Sequence, residues 1–230
     1  MTHPNDPRID EAWDTGVEQG TILILPDGSI DLMETPQGLW VVGPMTRARR
    51  ILLDGGKPHR GIRWVPGTLP ATALKWPLQA LRNRVVPLDA LMDNAPRGLE
   101  EGWERCNASP FMDELAATTT LLQHAPNTSI TELAAHVGWS DRTLRRRFTQ
   151  GLGLPPKTFA QIQRLQWVVH HLRQEPHSAL ASLALKCGYA DQAHLSNDVR
   201  RFTGLTPTKL RRLVADSFKI HPPTSPYPHR

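Results

Sequence analysis

One pattern over eight residues of this chain is written twice. Ala134-Ala135-His136-Val137-Gly138-Trp139-Ser140-Asp141 returns as Ala184-Leu185-Lys186-Cys187-Gly188-Tyr189-Ala190-Asp191, a shift of 50 positions (184 − 134). One inserted residue then makes the shift 51, at which Leu144 matches Leu195, Gly153 matches Gly204, Leu154 matches Leu205 and Pro156 matches Pro207. Each copy reads as a helix, a glycine turn and a second helix, the outline of a helix-turn-helix. Two copies make a duplicated module, not a stacked solenoid.

The local chemistry of each copy supports that outline. Ser129-Ile130-Thr131-Glu132 has the form of a capping box. Ile130, Leu133, Ala134 and Val137 follow it at i, i+3, i+4 and i+7 spacing. Gly138 supplies a positive-φ turn, and Ser140 is a good N-cap for the next helix. In that helix Leu144 and Phe148 share the inward face, while Arg142, Arg145, Arg146 and Thr149 form a stripe opposite. Like charges at i, i+3 and i, i+4 repel, so the stripe suits phosphates or guanine edges better than plain solvent. The second copy keeps the inner set, Leu183, Ala184, Cys187, Leu195, Val199 and Phe202. Its outward residues are Gln192, Ala193, His194, Ser196, Asn197 and Arg200; Gln and Asn suit adenine, and Ser several bases. Between the copies, Thr158 to Gln174 carries one uninterrupted helical pattern. A stiff connector of that kind would hold two recognition helices at the spacing of successive major-groove faces, about 34 Å.

Charge is distributed to match. Residues 1–110 hold 12 Lys and Arg against 14 Asp and Glu, whereas residues 111–230 hold 15 against 8. The surplus of +7 thus sits in the half with the duplicated motif, as expected for a polyanion partner. No window holds the roughly 20 apolar residues of a membrane span. The N-terminus lacks the basic and apolar regions of a secretory signal. Cys106 and Cys187 stand far apart, which fits a reducing, cytoplasmic setting.

The front half has a different texture. Residues 1–15 are polar and expected to fray. From 16 to about 90, apolar runs (21–25, 39–42 and 62–65) alternate with turn signals at Pro26-Asp27-Gly28, Pro36-Gln37-Gly38, Gly55-Gly56 and Pro66-Gly67. That spacing predicts a small barrel or sandwich, with a helix over about 70–82 that Pro77 interrupts. The expected organisation is α+β: a β-rich domain over 1–92, a linker over 93–110 with room for one helical turn, an all-α domain over 111–218 with two helix-turn-helix motifs joined by a long helix, and a disordered tail over 219–230.

The helical half resembles the DNA-binding domain of the AraC/XylS family of bacterial transcription regulators over about 111–215. The resemblance is carried by Gly188-Tyr189-Ala190-Asp191-Gln192-Ala193-His194-Leu195-Ser196, by Phe202-Thr203-Gly204-Leu205-Thr206-Pro207, and by Gly151-Leu152-Gly153-Leu154-Pro155-Pro156. It implies double-stranded DNA as partner, with contacts from Arg142, Thr143, Arg145 and Arg146 in the first recognition helix. In the second it implies Gln192, His194, Ser196, Asn197 and Arg200. The chain departs from the family pattern at Asn197, where Arg is favoured, and at Val199, where Phe is. The front half, through 25–32, Gly43-Pro44-Met45-Thr46 and 61–67, resembles an N-terminal domain of unknown role found ahead of such DNA-binding domains. In the wider family front domains often bind effectors or dimerise, so a small-molecule effector and a homodimer are the roles implied here.

Competing chemistry is weakly represented. Asp27 and Asp31, four apart, read either as paired carboxylates or, more simply, as a turn residue and a cap or ion-pair partner. Trp40, Trp64 and Trp76 fit either a ligand cavity or core packing. Gly55-Gly56-Lys57 lacks the rest of a phosphate-binding loop. No His/Cys grouping has zinc-ligand spacing, and no cofactor is implied. A non-enzymatic regulator is therefore the leading expectation. A nucleic-acid-directed enzyme, which in the wider family would carry a cysteine cluster, and a non-specific architectural DNA binder are the alternatives.

Overall fold

Alternation along the strands decides how the front half is layered. The computed structural model describes residues 6–15, 19–54, 59–108, 113–215 and 220–221. Its main sheet has the order β1-β6-β3-β4-β7, from β1 (Ile9–Asp14), β3 (Ile30–Thr35), β4 (Gly38–Val42), β6 (Arg60–Trp64) and β7 (Val85–Pro87), with every pairing antiparallel. Successive side chains point to opposite faces of a strand. Ile30, Leu32, Leu39, Val41, Ile62 and Trp64 therefore share one face and belong to one buried cluster. Asp31, Met33 and Arg63 point the other way, toward a cavity that Ile22, Ile24 and Ile51 close. Those residues come from a second ladder, β2 (Gln19–Ile24) against β5 (Arg49–Asp54). The front half is thus a two-layered β structure, as the spacing of its turns predicted.

Of the expected 93–110 linker, the described residues 93–108 instead join this domain. Its α1 (Leu99–Cys106) lays Leu99, Trp103 and Cys106 on the apolar sheet face, with Trp103 stacked on Trp64 at 4.8 Å. Three other expectations are corrected. Residues 6–15 do not fray: β1 pairs with β6 along its length. The helix expected over 70–82 shrinks to a 3-10 turn, Leu78–Leu81, because Pro77 holds an extended backbone directly before it. Within the tail expected to be disordered, Ile220–His221 pairs in parallel with β2. Gly55-Gly56-Lys57 lies outside the described residues.

The helical half comprises α2 (Asp113–His124), α3 (Ile130–His136), α4 (Asp141–Leu152), α5 (Pro156–Gln174), α6 (Leu180–Lys186), α7 (Gln192–Thr203) and α8 (Pro207–Ala215). α5 starts on a proline, whose missing N–H costs nothing in the first turn. Phe159, Ile162, Leu165, Val168, Val169 and Leu172 bury its length between the two motifs. No helix among the described residues is long and apolar enough to cross a membrane.

Leu23 and Leu25 of the β-rich half lie in the core of the helical half. Around them, polar contacts close a seam along α5. Gln163 donates to the Asp27 carbonyl at 2.7 Å, Gln166 donates to the Pro26 carbonyl, and Thr119 donates to the Pro66 carbonyl at 2.6 Å. Gly28, at φ 87°, lies so close to Phe159 that a Cβ there would come within 2.7 Å of the ring. Glycine is needed at that contact for both reasons.

Candidate nucleic-acid interface

The first motif is assembled by its caps. Ser129 accepts from the Glu132 N–H at 3.1 Å and Glu132 accepts from the Ser129 N–H at 3.0 Å, which completes the capping box. Gly138 turns the chain at φ 68°, and Ser140 then caps α4 by accepting from the Thr143 N–H at 3.2 Å. Leu144 and Phe148 are fully buried, Phe148 edge-on to Phe159 at 6.0 Å. That anchoring leaves Arg142, Arg145 and Arg146 exposed, with no ion-pair partner among the described residues. Thr143 is half-buried and its hydroxyl accepts from Ser140, so it is committed to the cap. Arg147 turns away from the stripe: it pairs with Glu114 and lies over the Trp139 ring at 4.1 Å.

The second motif uses different capping. Ala179 offers α6 no side-chain cap, whereas Asp191 caps α7 by accepting from the His194 N–H at 2.7 Å. Gln192, Asn197 and Arg200 are exposed; His194 and Ser196 are half-buried. The His194 ring stands perpendicular to Tyr189 at 5.1 Å, which fixes one side of it. Val199, smaller than the family pattern, is fully buried.

Behind the second motif lies a polar cluster that sequence reading did not find. Arg164 of α5 lies 5.3 Å from the Tyr189 ring centre, and Asp198 is buried on α7. Burial, helped by the Asp198 charge, pushes the Tyr189 hydroxyl well above its usual range. These three residues come from α5, the turn and α7, so no local periodicity links them.

The other titratable groups singled out from the sequence are occupied structurally. Burial pushes the Cys106 and Cys187 thiols up to about 12, which leaves both protonated at neutral pH. Among the described residues no group of three or more His, Cys, Asp and Glu is placed to hold a metal. Asp27 and Asp31, the carboxylate pair considered for chemistry, both bind the buried Arg63 guanidinium, at 3.1 and 2.7 Å. Trp64 is core, Trp40 donates to the Thr35 hydroxyl, and Trp76 is exposed.

Residues 115–213 match a family model described as a helix-turn-helix domain. A Streptomyces antibioticus protein described as an AraC-like transcription regulator is 27% identical over 190 residues, 73% of this chain and 60% of that one. Residues 115–213 form an AraC/XylS-type helix-turn-helix domain. The transcriptional activator RhaS of Escherichia fergusonii is 35% identical over 80 residues, 35% of this chain and 28% of RhaS. The chain thus spans less than two thirds of either relative's length. A structure of ToxT from Vibrio cholerae aligns over 89% of this chain and 98% of that one, at 7% identity and a TM-score of 0.48. Within the AraC/XylS-type domain, α4 and α7 are the second helices of the two motifs, the position from which such modules reach DNA.

Proposed function

We propose that the chain is a sequence-specific DNA-binding transcription regulator whose α4 and α7 enter successive major grooves. The observation that carries this reading is the exposed stripe of Arg142, Arg145 and Arg146. Three like charges on one helix face, without carboxylate partners among the described residues, are costly unless a polyanion meets them. Arg147, one residue further on, is neutralised by Glu114, so the chain does pair arginines where it has no other use for them. On α7, Gln192 and Asn197 read bases, Arg200 meets phosphate, and His194 and Ser196 contribute contacts from its half-buried edge. The front domain serves as a receiver for a small-molecule effector. The seam along α5 supports that role, because a change in the β layers would be felt between the two motifs.

Fluorescence anisotropy with a selected site and with random competitor DNA tests this. Affinity should fall steeply with salt, each neutralised phosphate contributing about −0.9 to the log–log slope. Gln192→Ala and Asn197→Ala should each change base preference at one position by about 1–3 kcal/mol. Arg145→Ala should weaken all sequences alike and make the salt slope shallower. An unchanged sequence preference in both α7 variants would overturn the assignment of that helix.

A further inference from the structure

Two loops of the front domain bring four arginines to one cleft. Arg47 precedes β5 and Arg49 opens it, while Arg82 and Arg84 come from the segment leading into β7. The cleft encloses about 790 Å³, within the range of small-molecule sites. All four arginines are exposed, no Asp or Glu lines the cleft, and none of the four has an ion-pair partner among the described residues. The front half as a whole is slightly acidic, so this concentration is not a sample of its average surface.

The loops are fastened to each other. Asn83 sits between the two arginines of its segment in the left-handed region, φ 58°. Its side-chain oxygen accepts from the Thr46 N–H at 2.7 Å and its amide donates to the Thr46 hydroxyl at 2.9 Å. The Asn83 N–H donates to the Pro44 carbonyl at 3.1 Å. A non-glycine residue held at positive φ by three such bonds fixes the spacing of the guanidinium groups in advance. Trp76, 37% exposed, adds an open indole face to the wall.

The same loops grip the ends of both recognition helices. Arg82 donates through Nε and Nη2 to the Gly153 carbonyl, at 3.2 and 3.1 Å, at the residue that ends α4. The Ala48 N–H donates to the Phe202 carbonyl in the last turn of α7 at 2.6 Å. A charged oxygen is a stronger partner for a guanidinium than a neutral carbonyl. An anion in the cleft would therefore compete with Gly153 for Arg82 and alter how α4 is held relative to α7.

We propose that the four-arginine cleft binds a small anion, carrying phosphate or clustered carboxylates beside a planar ring, and that its occupancy changes the DNA affinity of the chain. Guanidinium forks match phosphate and carboxylate oxygens two at a time, and the indole stacks on the ring. The effect on DNA rests on the regulator reading above; the binding does not. A DNA backbone phosphate offers the same oxygens, so the test separates the two sources.

Calorimetry on the full chain, without DNA, uses ATP, pyrophosphate, citrate and adenosine as probes. The expected result is saturable 1:1 binding of at least one of the three anions and none of adenosine. Arg49→Ala/Arg84→Ala should weaken that binding at least about tenfold, the loss expected when charge-assisted hydrogen bonds vanish. Trp76→Ala should weaken ATP but not pyrophosphate or citrate. Both variants alter exposed side chains, and an unchanged circular dichroism spectrum and melting temperature verify that they fold. No binding of any anion, or binding that the double variant leaves intact, overturns the proposal. So does a double variant that retains anion binding but loses DNA affinity, which would make the cleft a backbone contact. If an anion binds but DNA does not with or without it, the cleft stands and the regulator reading falls.

Discussion

Arg63 is the residue on which the interior of the β layers depends. It is 4% exposed, and its guanidinium meets Asp31 at 2.7 and 3.0 Å, Asp27 at 3.1 Å and Glu11 at 3.2 Å. One cation therefore serves three carboxylates, and burial already raises the Glu11 carboxyl above its usual range despite the Arg63 charge. Arg63→Met removes the cation but keeps the volume, and should cost about 3–5 kcal/mol, as for a broken buried pair. Without the cation the neighbouring carboxylates repel, and the Glu11 carboxyl, already raised by burial, loses the attraction that lowers it and rises further. Groups shifted that way lend stability at low pH and lose it as pH rises through the folded value. The variant's deficit relative to the parent, read from urea midpoints, should thus be smaller at pH 5 than at pH 8; an equal deficit would contradict the account. Asp31 was legible from its own turn as a cap or an ion-pair partner, and the structure makes it the latter. Arg63 was not legible as that partner, because the β3–β6 register, Asp31 opposite Arg63, joins them over long range.

Elements were legible to the degree that their signals were local. The boundaries of α3 and α4 follow from Ser129, Glu132, Gly138 and Ser140, all within a turn of the backbone groups they satisfy. α1 was legible only as one helical turn within a connector, although Leu99, Trp103 and Cys106 stand at i, i+4 and i+7, because Pro96 and Gly98 interrupt the pattern just before it. The candidate contacts show the same division. Outward positions on α4 and α7 could be read from periodicity, but the burial of one side of His194 against Tyr189 could not. Two substitutions weigh local against non-local demands. Ser129→Ala removes one cap and should cost about 1 kcal/mol. Gly153→Ala should cost more: its φ is 71°, and a Cβ there would meet the Leu78 carbonyl oxygen of the front domain at 2.5 Å. The equivalent Gly204, at φ 70° with open space around it, supplies the control. Gly204→Ala pays only the backbone strain, so chemical denaturation should rank Gly153→Ala as the more damaging of the two glycine changes. Equal losses would mean the seam yields at no cost.

At the scale of the molecule, the two halves share apolar surface instead of merely adjoining. Leu23 of β2 and Leu25 just after it enter a core otherwise made by the helical half, while the front domain keeps its own core around Trp64 and Trp103. Nothing in the sequence announced this, because the alternation of a strand specifies that a side chain is buried but not which element buries it. Interdomain surfaces are ordinarily polar enough for the parts to move independently. Here Leu25, 3% exposed, and the hydrogen bonds from Gln163 and Gln166 argue for one cooperative unit. Leu25→Ala should then cost about 2–5 kcal/mol, the range for a buried leucine truncation. The cost should be felt in both halves, although the residue directly follows β2 of the front domain. Far-ultraviolet circular dichroism follows the helices, and a variant retaining only Trp64 and Trp103 reports on the front core by fluorescence. The two signals should share one urea midpoint in that background, and Leu25→Ala should move both midpoints together, with the slope of the transition unchanged. Separate midpoints, or a shift confined to the fluorescence, would mean that the halves fold alone. The front domain would then lack a rigid path by which its cleft could reach α4 and α7.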